Sequence, residues 1–182
     1  MSQRGEIWVH GNSAVLQFPG GAGLEFTSNK RMDNVGGVPW TDIVGLREGP
    51  GIRFAGQRGN KNWFHFSVPT PAIFPNPGVS NHVEITVDRV SVYYRTPNNQ
   101  VFVNGISVFD GSDSRPVGRV GSAANLFGDH TTVFEEGLNA FLIDPLPLRL
   151  GSAHGVGISV EIQFDDSGEV FFKAAGIHFS IG

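Results

Sequence analysis

The chain has 182 residues, no cysteine, and 13 Lys and Arg against 17 Asp and Glu, which gives a formal net charge of −4. This length fits one domain of ordinary size, and we expect residues 1–182 to form a single domain. The lack of cysteine excludes disulfides, thiolate metal sites and a cysteine nucleophile. The lack of a basic block argues against nucleic acid as a partner.

The N-terminal residues 1–15 contain no apolar segment of the signal-peptide type, and apolar runs elsewhere span only a few residues. We therefore expect a cytoplasmic protein without membrane contact. Glycine occurs 25 times and phenylalanine 15 times, whereas charged residues make up 16% of the chain. This composition favours strands and turns over helices.

The first third of the chain alternates short strand patterns with a long connection. Residues 5–19 predict two short strands around a turn at 10–13, whereas 27–50 show no period of two and form a long connection that contains Trp40. A helical turn near 41–45 is one option there. Connections of this length are often functional or cover a sheet edge.

Residues 51–68 predict two strands joined by the segment GQRGNKN. In the second strand, alternation places Phe64 and Phe66 on the apolar face and Trp63 and His65 on the opposite face. Trp63 is therefore either an exposed ring or part of a second buried layer.

The stretch HVEITVDRVSVYYRT, residues 82–96, changes the phase of its apolar residues between Asp88 and Arg89. A two-residue hairpin there would call for Asn-Gly or Gly-X, so one surplus residue, a β-bulge, explains the change better. The bulge keeps all the apolar residues on one face and turns Tyr93 to the other.

The next segment, QVFVNGISVFDG, changes phase at Asn104–Gly105. Asn-Gly is a strong signal for a two-residue hairpin turn. The alternative, which we favour, is one bulged strand over 101–109 that runs back along 82–96 from a turn at 97–99.

The C-terminal segment repeats this pattern. Residues 157–164 alternate strictly, 165–168 form a turn, and 169–181 run back with a phase change at Ala175–Gly176. Thr132 and Glu135 fit a capping box, which predicts a short helix over 132–136. The predicted fold is all-β, a two-sheet antiparallel sandwich of possible jelly-roll type, with a closed barrel as the alternative.

The strand segments quoted above, together with FGDH, GISVEIQF and the late AGIHFSI, resemble a family of bacterial single-domain β-proteins known only as a domain of unknown function. The resemblance covers roughly residues 61–182. It implies strand pairs of the kind described and carries over no activity and no site residues.

The sequence contains few candidate catalytic or metal-binding groups. The segment GDHTT offers Asp129 and His130 as an acid–base pair. Asp110 and Asp113 form an oxygen-rich turn that could bind Ca²⁺, and we expect no other cofactor or metal. A metal or acid–base site could also form if the outward-facing side chains of three strands converge, namely His65, His82 and His178.

Aromatic side chains outside the predicted core suggest a binding surface. We expect Trp40, Trp63, His65 and Tyr93 to bind a carbohydrate or another small ligand, in a non-catalytic module. One alternative is a cofactor-free enzyme of the cyclase or isomerase type that uses His and Asp for proton transfer. A second alternative is a structural protein that self-associates, as a homodimer, through these rings.

Overall fold

The computed structural model describes residues 3–16, 46–56, 58–70, 85–111, 116, 118–119, 124–144, 148–150 and 155–182. Trp40, His82, Asp113 and the optional helical turn near 41–45 lie outside these residues. Within them, no helix is long and apolar enough to cross a membrane.

The described residues form two antiparallel β-sheets, joined early in the chain by a 3₁₀ turn at Gly11–Ser13. Sheet A contains β1 (Gln3–His10), β3 (Leu46–Glu48), β4 (Gly51–Gly56), β6 (Ile85–Arg95), β9 (Ala140–Leu142), β10 (Leu148–Arg149) and β12 (Gly168–Ile181). Sheet B contains β2 (Val15–Leu16), β5 (Asn60–Val68), β7 (Val101–Asp110), β8 (Gly118–Arg119) and β11 (Val156–Phe164). The predicted all-β sandwich is confirmed. The closed-barrel alternative is wrong, because neither path of hydrogen-bonded strands closes in the described part of the chain.

Each sheet is built around one long strand from the C-terminal part of the chain. In sheet A, β12 pairs with β6 along one edge, while β4 and β1 share its other edge in succession. In sheet B, β11 lies between β5 and β7. The two central strands are therefore consecutive in the chain and lie in different layers.

The predicted hairpins are wrong in their pairing, although the strands themselves are present. The two strands of each predicted pair, β6 and β7 as well as β11 and β12, lie in different sheets. A hairpin and a crossing between layers bury the same apolar residues, since both turn one face of each strand inward. Periodicity therefore identifies the strands but does not determine which backbone each one pairs with.

The bulge predicted at Asp88–Arg89 is confirmed. Val87 faces Phe179 on β12 and Arg89 faces His178, so Asp88 is a surplus residue between these pairs. The buried side chains change phase at this position, from Val87 before the bulge to a run of alternate residues after it, Val90, Val92 and Tyr94.

The segment around Asn104–Gly105 is one bulged strand, as favoured above, and not a hairpin turn. Val103 faces Ile162 on β11 and Gly105 faces Glu161, which leaves Asn104 as the surplus residue. The strand does not run back along residues 82–96, because β6 belongs to the other sheet.

The third phase change lies at Lys173 and not at Ala175–Gly176. Phe172 faces Tyr94 and Ala174 faces Tyr93, so Lys173 is the surplus residue of β12. Ala174 is only half-buried for this reason. Sequence analysis placed the change at glycine because glycine is common in bulges, but a charged residue occupies this bulge and donates from Nζ to the Thr131 carbonyl at 2.8 Å.

The predicted helix over 132–136 is also wrong. Residues 131–139 form an irregular loop around the fully buried amide of Asn139. Its Nδ2 donates to the carbonyls of His130 (3.0 Å) and Val133 (2.6 Å), and its Oδ1 accepts from the Glu135 N–H (2.8 Å). Because the Glu135 carboxylate is hydrogen-bonded to His130 instead, no capping box forms.

The core between the sheets contains a group of interlocking phenylalanine rings. Phe172 of β12 has its ring centre 5.1 Å from that of Phe64 and 5.4 Å from that of Phe66, and Phe54 lies 4.7 Å from Phe64. These rings join the two sheets, since Phe54 and Phe172 belong to sheet A and Phe64 and Phe66 to sheet B. Their edge-on and tilted contacts add to the stability gained from burial.

We expect Phe172→Ala to lower the free energy of unfolding by about 3–5 kcal/mol, because the side chain is fully buried and its loss leaves a cavity. Phe127→Ala is the matched control and should change it by less than about 0.5 kcal/mol, since Phe127 is 50% exposed. Urea titration measures both values. Similar losses in the two variants would contradict this account of the core.

Candidate functional site

The bulge in β6 places two charged residues beside a cavity on the outer face of sheet A. Asp88 is the surplus residue and Arg89 follows it, and both are half-buried. The cavity has a volume of about 300 Å³, at the lower end of the range for small-molecule sites. Its lining residues come from three adjacent strands: Arg4, Gly5, Glu6, Asp88, Arg89, His178 and Phe179.

The strand register brings the polar members of this lining together. Glu6 of β1 faces His178 of β12, and His178 faces Arg89 of β6 on the other side. Cross-strand neighbours on one face have Cβ atoms roughly 4.5–5.5 Å apart, so these three side chains form a row across the sheet. The bulge adds Asp88 at one end of this row.

The imidazole of His178 is hydrogen-bonded at both nitrogens. Nδ1 lies 3.0 Å from Glu6 Oε1, and Nε2 lies 3.0 Å from the Ser91 hydroxyl oxygen. An ionised carboxylate only accepts, so a neutral ring donates from Nδ1 to Glu6 and accepts from Ser91 at Nε2. Burial lowers the pKa of His178 by more than the nearby Glu6 carboxylate raises it, which favours this neutral form.

A stacked pair of aromatic rings lies next to His178. Trp8 and Tyr93 have ring centres 5.1 Å apart and planes inclined by 14°, and the Trp8 and His178 rings form an edge-to-face contact with centres 6.0 Å apart. Trp8 reaches across β12 because its facing residue there is Gly176. A Cβ at that position would lie 2.7 Å from the indole ring, so glycine is needed here to make room for Trp8.

The 131–139 loop reaches the other side of the cavity lining through Phe134. Its ring centre lies 5.7 Å from that of His178 and 5.3 Å from the guanidinium carbon of Arg89. Arg89 also lies 3.7 Å from the Glu136 carboxylate. Together, these contacts restrict Arg89 at the rim of the cavity.

Glu6, His178 and Ser91 follow the order of an acid, a base and a nucleophile. A hydrolase of this kind needs a nucleophile that the substrate can reach. Ser91 is 0% exposed and lies within a strand, so its hydroxyl fixes the imidazole and does not face the cavity.

The structure separates the aromatic residues predicted to bind a ligand. Tyr93 belongs to the outer face of sheet A, whereas Trp63 and His65 lie on β5 of sheet B, both half-buried. The His65 ring is bonded through Nδ1 to the Ser159 hydroxyl at 2.6 Å, and burial lowers its pKa. His65 and His178 belong to different sheets and do not converge.

Asp129 and His130 are adjacent in the chain but bind different partners. The Asp129 carboxylate accepts from the Thr131 hydroxyl (2.5 Å) and the Thr131 N–H (3.1 Å), which lower its pKa. The His130 ring is bonded to Glu135 Oε2 through Nδ1 (2.9 Å) and to the Phe127 carbonyl through Nε2 (3.1 Å). These bonds hold the loop in place, so the acid hydrogen-bonded to His130 is Glu135.

The described residues contain no group of three or more His, Asp and Glu side chains that could hold a metal ion. Asp110, one of the two calcium candidates, is buried at the end of β7, and Asp113 lies outside the described residues.

Sequence reasoning missed most of the cavity lining. It did not select Arg4, Glu6, Asp88 or Arg89, because single charged residues on an outer strand face usually contact solvent. One signal was present in the sequence. The phase change at Asp88–Arg89 predicted a bulge, and bulges are over-represented beside functional sites because they reorient side chains.

We expect Gly176→Ala to lower the free energy of unfolding by about 1–3 kcal/mol, because the added Cβ would lie 2.7 Å from both the Ile7 carbonyl oxygen and the Trp8 ring. The near-ultraviolet circular dichroism of the Trp8–Tyr93 stack should change as well. Gly49→Ala is the control, because nothing lies within 4 Å of its Cβ position. An unchanged spectrum in Gly176→Ala would show that Trp8 does not lie over this glycine.

The stability of the fold should decrease as the pH falls through about 6.5. Unfolded histidine has its ordinary pKa of 6.5, and the folded pKa values of His178 and His65 are lower. The unfolded state therefore binds more protons in this range, which favours unfolding, and the effect is absent at higher pH. Urea titrations between pH 5 and 8 should show a smaller decrease in His178→Gln and in His65→Gln. Slopes identical to that of the wild type would contradict the prediction.

Comparison with known proteins gives one family match. A model of a family of unknown function, DUF6623, matches residues 40–171, which is more than half of the chain. No curated protein and no solved structure matches the sequence significantly. The match agrees with the resemblance seen in the strand segments and brings no activity with it. On this span, the chain belongs to the DUF6623 family of unknown function.

Proposed function

We propose that the protein is a non-catalytic module that binds a small hydroxylated ligand of the carbohydrate type in the cavity on the outer face of sheet A. The observation that carries this proposal is the lining of the cavity. It combines hydrogen-bond donors, Arg4 and Arg89, with a carboxylate acceptor, Asp88, around a volume of about 300 Å³.

Sugar hydroxyls donate and accept hydrogen bonds, so their recognition needs both kinds of group at short spacing. Arginine offers five N–H donors in a fixed plane and a carboxylate offers only acceptors. Hydrogen bonds to charged groups contribute about 1.5–3 kcal/mol each. A cavity of this size suits one sugar ring.

The lining is also held in place before a ligand arrives, which lowers the entropic cost of binding. The backbone at the bulge is fixed by the Ile143 N–H, which donates to the Asp88 carbonyl at 3.1 Å. The Phe134 ring lies against the Arg89 guanidinium. Glu6 accepts from Trp8 Nε1 at 3.1 Å and is bonded to His178, so its rotamer is restricted.

A cofactor-free acid–base enzyme is the second candidate. The observation that favours it is His178, a cavity-lining imidazole bonded to the Glu6 carboxylate and favoured in its neutral form. In that case His178→Gln would abolish turnover of a ligand that still binds. In a binding module, no turnover occurs in either protein.

The binding proposal is tested with ¹H–¹⁵N NMR titration of the protein with D-glucose, D-galactose and D-mannose. We expect shifts at residues 4–6, 88–89 and 178–179 for at least one sugar. Asp88→Asn should weaken that binding about tenfold, because an amide replaces the charged acceptor.

Asp166→Asn is the matched control, since Asp166 lies in the turn before β12, at the other end of that strand from the cavity. Its affinity should equal that of the wild type. Saturable shifts on sheet B alone, or none with any of the three sugars, would overturn the proposal.

A further inference from the structure

The charges of the cavity lining balance each other, which bears on the kind of ligand that it can select. The lining contains two arginines and two carboxylates, namely Arg4, Arg89, Glu6 and Asp88. His178 adds no charge in its neutral form. Because no surplus charge remains, the lining suits an uncharged ligand, whose affinity depends on hydrogen bonds and on apolar contact.

Exposed apolar side chains are concentrated in one segment of the chain. Among the described residues, all but one of the exposed large hydrophobic side chains lie within 127–142, and the exception is Val15. Those within the segment are Phe127, Val133, Phe134, Leu138 and Leu142. Exposed apolar residues that are scattered singly need no explanation, whereas clustered ones commonly mark a binding surface.

Two of these side chains, Phe134 and Leu142, flank Arg89 and are called here the apolar rim. The Phe134 ring centre lies 5.3 Å from the Arg89 guanidinium carbon and 5.7 Å from the centre of the His178 ring. Leu142 on β9 faces Arg89 on β6, and residues directly opposite each other share one face of a sheet. Leu142 therefore continues the row that begins at Glu6, and an apolar surface starts where the charged lining ends.

Building on the proposed function, we infer that the ligand is a glycoside, with its sugar in the cavity and its apolar aglycone against Phe134 and Leu142. The rim adjoins Arg89, a residue of the lining, so a group attached to a sugar in the cavity reaches the rim directly. Neighbouring strands lie about 4.7–4.9 Å apart, and one ring on the glycosidic oxygen spans that step.

The apolar rim has surface left for such a group to cover. Phe134 is 42% exposed and Leu142 is 46% exposed. Removing apolar surface from water is favourable in proportion to the area that is covered. The two halves of a glycoside thus match the two halves of the site, hydroxyls with the charged lining and the aglycone with the rim.

Methyl and phenyl glycosides of one hexose are matched probes, because they share the sugar and differ in the aglycone. ¹H–¹⁵N NMR titrations use both anomers of the methyl and phenyl glycosides of D-glucose, D-galactose and D-mannose. For at least one sugar, the phenyl glycoside should bind about tenfold more tightly than the methyl glycoside. It should also shift the amide signals of residues 134 and 142 more strongly, through the ring current of the phenyl group. Phenol, which lacks the sugar, should bind at least about tenfold more weakly than the phenyl glycoside.

Variants of the apolar rim test where the aglycone lies. Leu142→Asn and Phe134→Ala should each lower the preference for the phenyl glycoside by at least about threefold. A displacement of Arg89 would weaken the binding of both glycosides alike, so the ratio of the two affinities is the quantity to compare. Val15→Asn is the control, since Val15 is 61% exposed on β2 of sheet B. It should keep the wild-type ratio, and thermal melts establish that each variant is folded.

Equal affinities for the methyl and phenyl glycosides would overturn the inference and leave the proposed function standing. Phenol that binds as tightly as the phenyl glycoside would also overturn it, because the sugar would then add nothing. Sedimentation velocity gives a third check, since a dimer that dissociates in Leu142→Asn would show that a second copy covers the rim and would overturn the inference. If neither the glycosides nor the free hexoses give NMR shifts at the cavity, the proposed function itself is wrong.

Discussion

The fold depends on one constraint, namely that each long strand keeps its apolar face toward the space between the sheets along its whole length. The strands twist, and β6, β7 and β12 each contain one surplus residue that restores this orientation midway. Without the surplus residue, half of each strand would turn its valines and isoleucines toward solvent. The Phe54, Phe64, Phe66 and Phe172 cluster therefore requires the bulges as much as it requires the aromatic side chains.

The surplus residue of each bulge is polar and interacts on the outer face of its sheet. Asp88 lines the cavity, Lys173 donates to the Thr131 carbonyl, and Asn104 Nδ2 lies 3.5 Å from Glu161. A bulge leaves one residue unpaired between two hydrogen-bonded strands and adds a side chain that regular alternation would not place there. The constraint that maintains the core thus also supplies the polar groups of the outer surface.

The sequence predicted the long strands and their buried faces but not which strands share a sheet. The alternation of apolar residues identified the long strands, and its changes of phase identified the bulges at Asp88 and Asn104. Both signals report burial, which depends on the face of the strand that each residue takes. The prediction misplaced the third bulge, whose surplus residue is Lys173 and not a glycine, and it paired consecutive strands that lie in different sheets. Of the predicted ligand residues that the structure describes, Tyr93 alone lies in the cluster beside the cavity. The register across β1, β12 and β6 that assembles that cluster depends on strands far apart in the chain.

The two outer faces differ in how far their polar groups are already satisfied, which is why we place the proposed site at the cavity on sheet A. On sheet B, Glu161 is 7% exposed, forms an ion pair with Lys61 and contacts the surplus Asn104, and the neighbouring Ser159 is bonded to His65. A ligand there would have to displace these contacts, and leaving the buried Glu161 carboxylate without a partner is costly. On sheet A, the corresponding surplus residue is a carboxylate at a cavity, and the arginine next to it has a long, exposed ion pair with Glu136 besides its contact with the Phe134 ring. The proposed ligand would therefore displace fewer contacts at Asp88 and Arg89 than at Asn104 and Glu161.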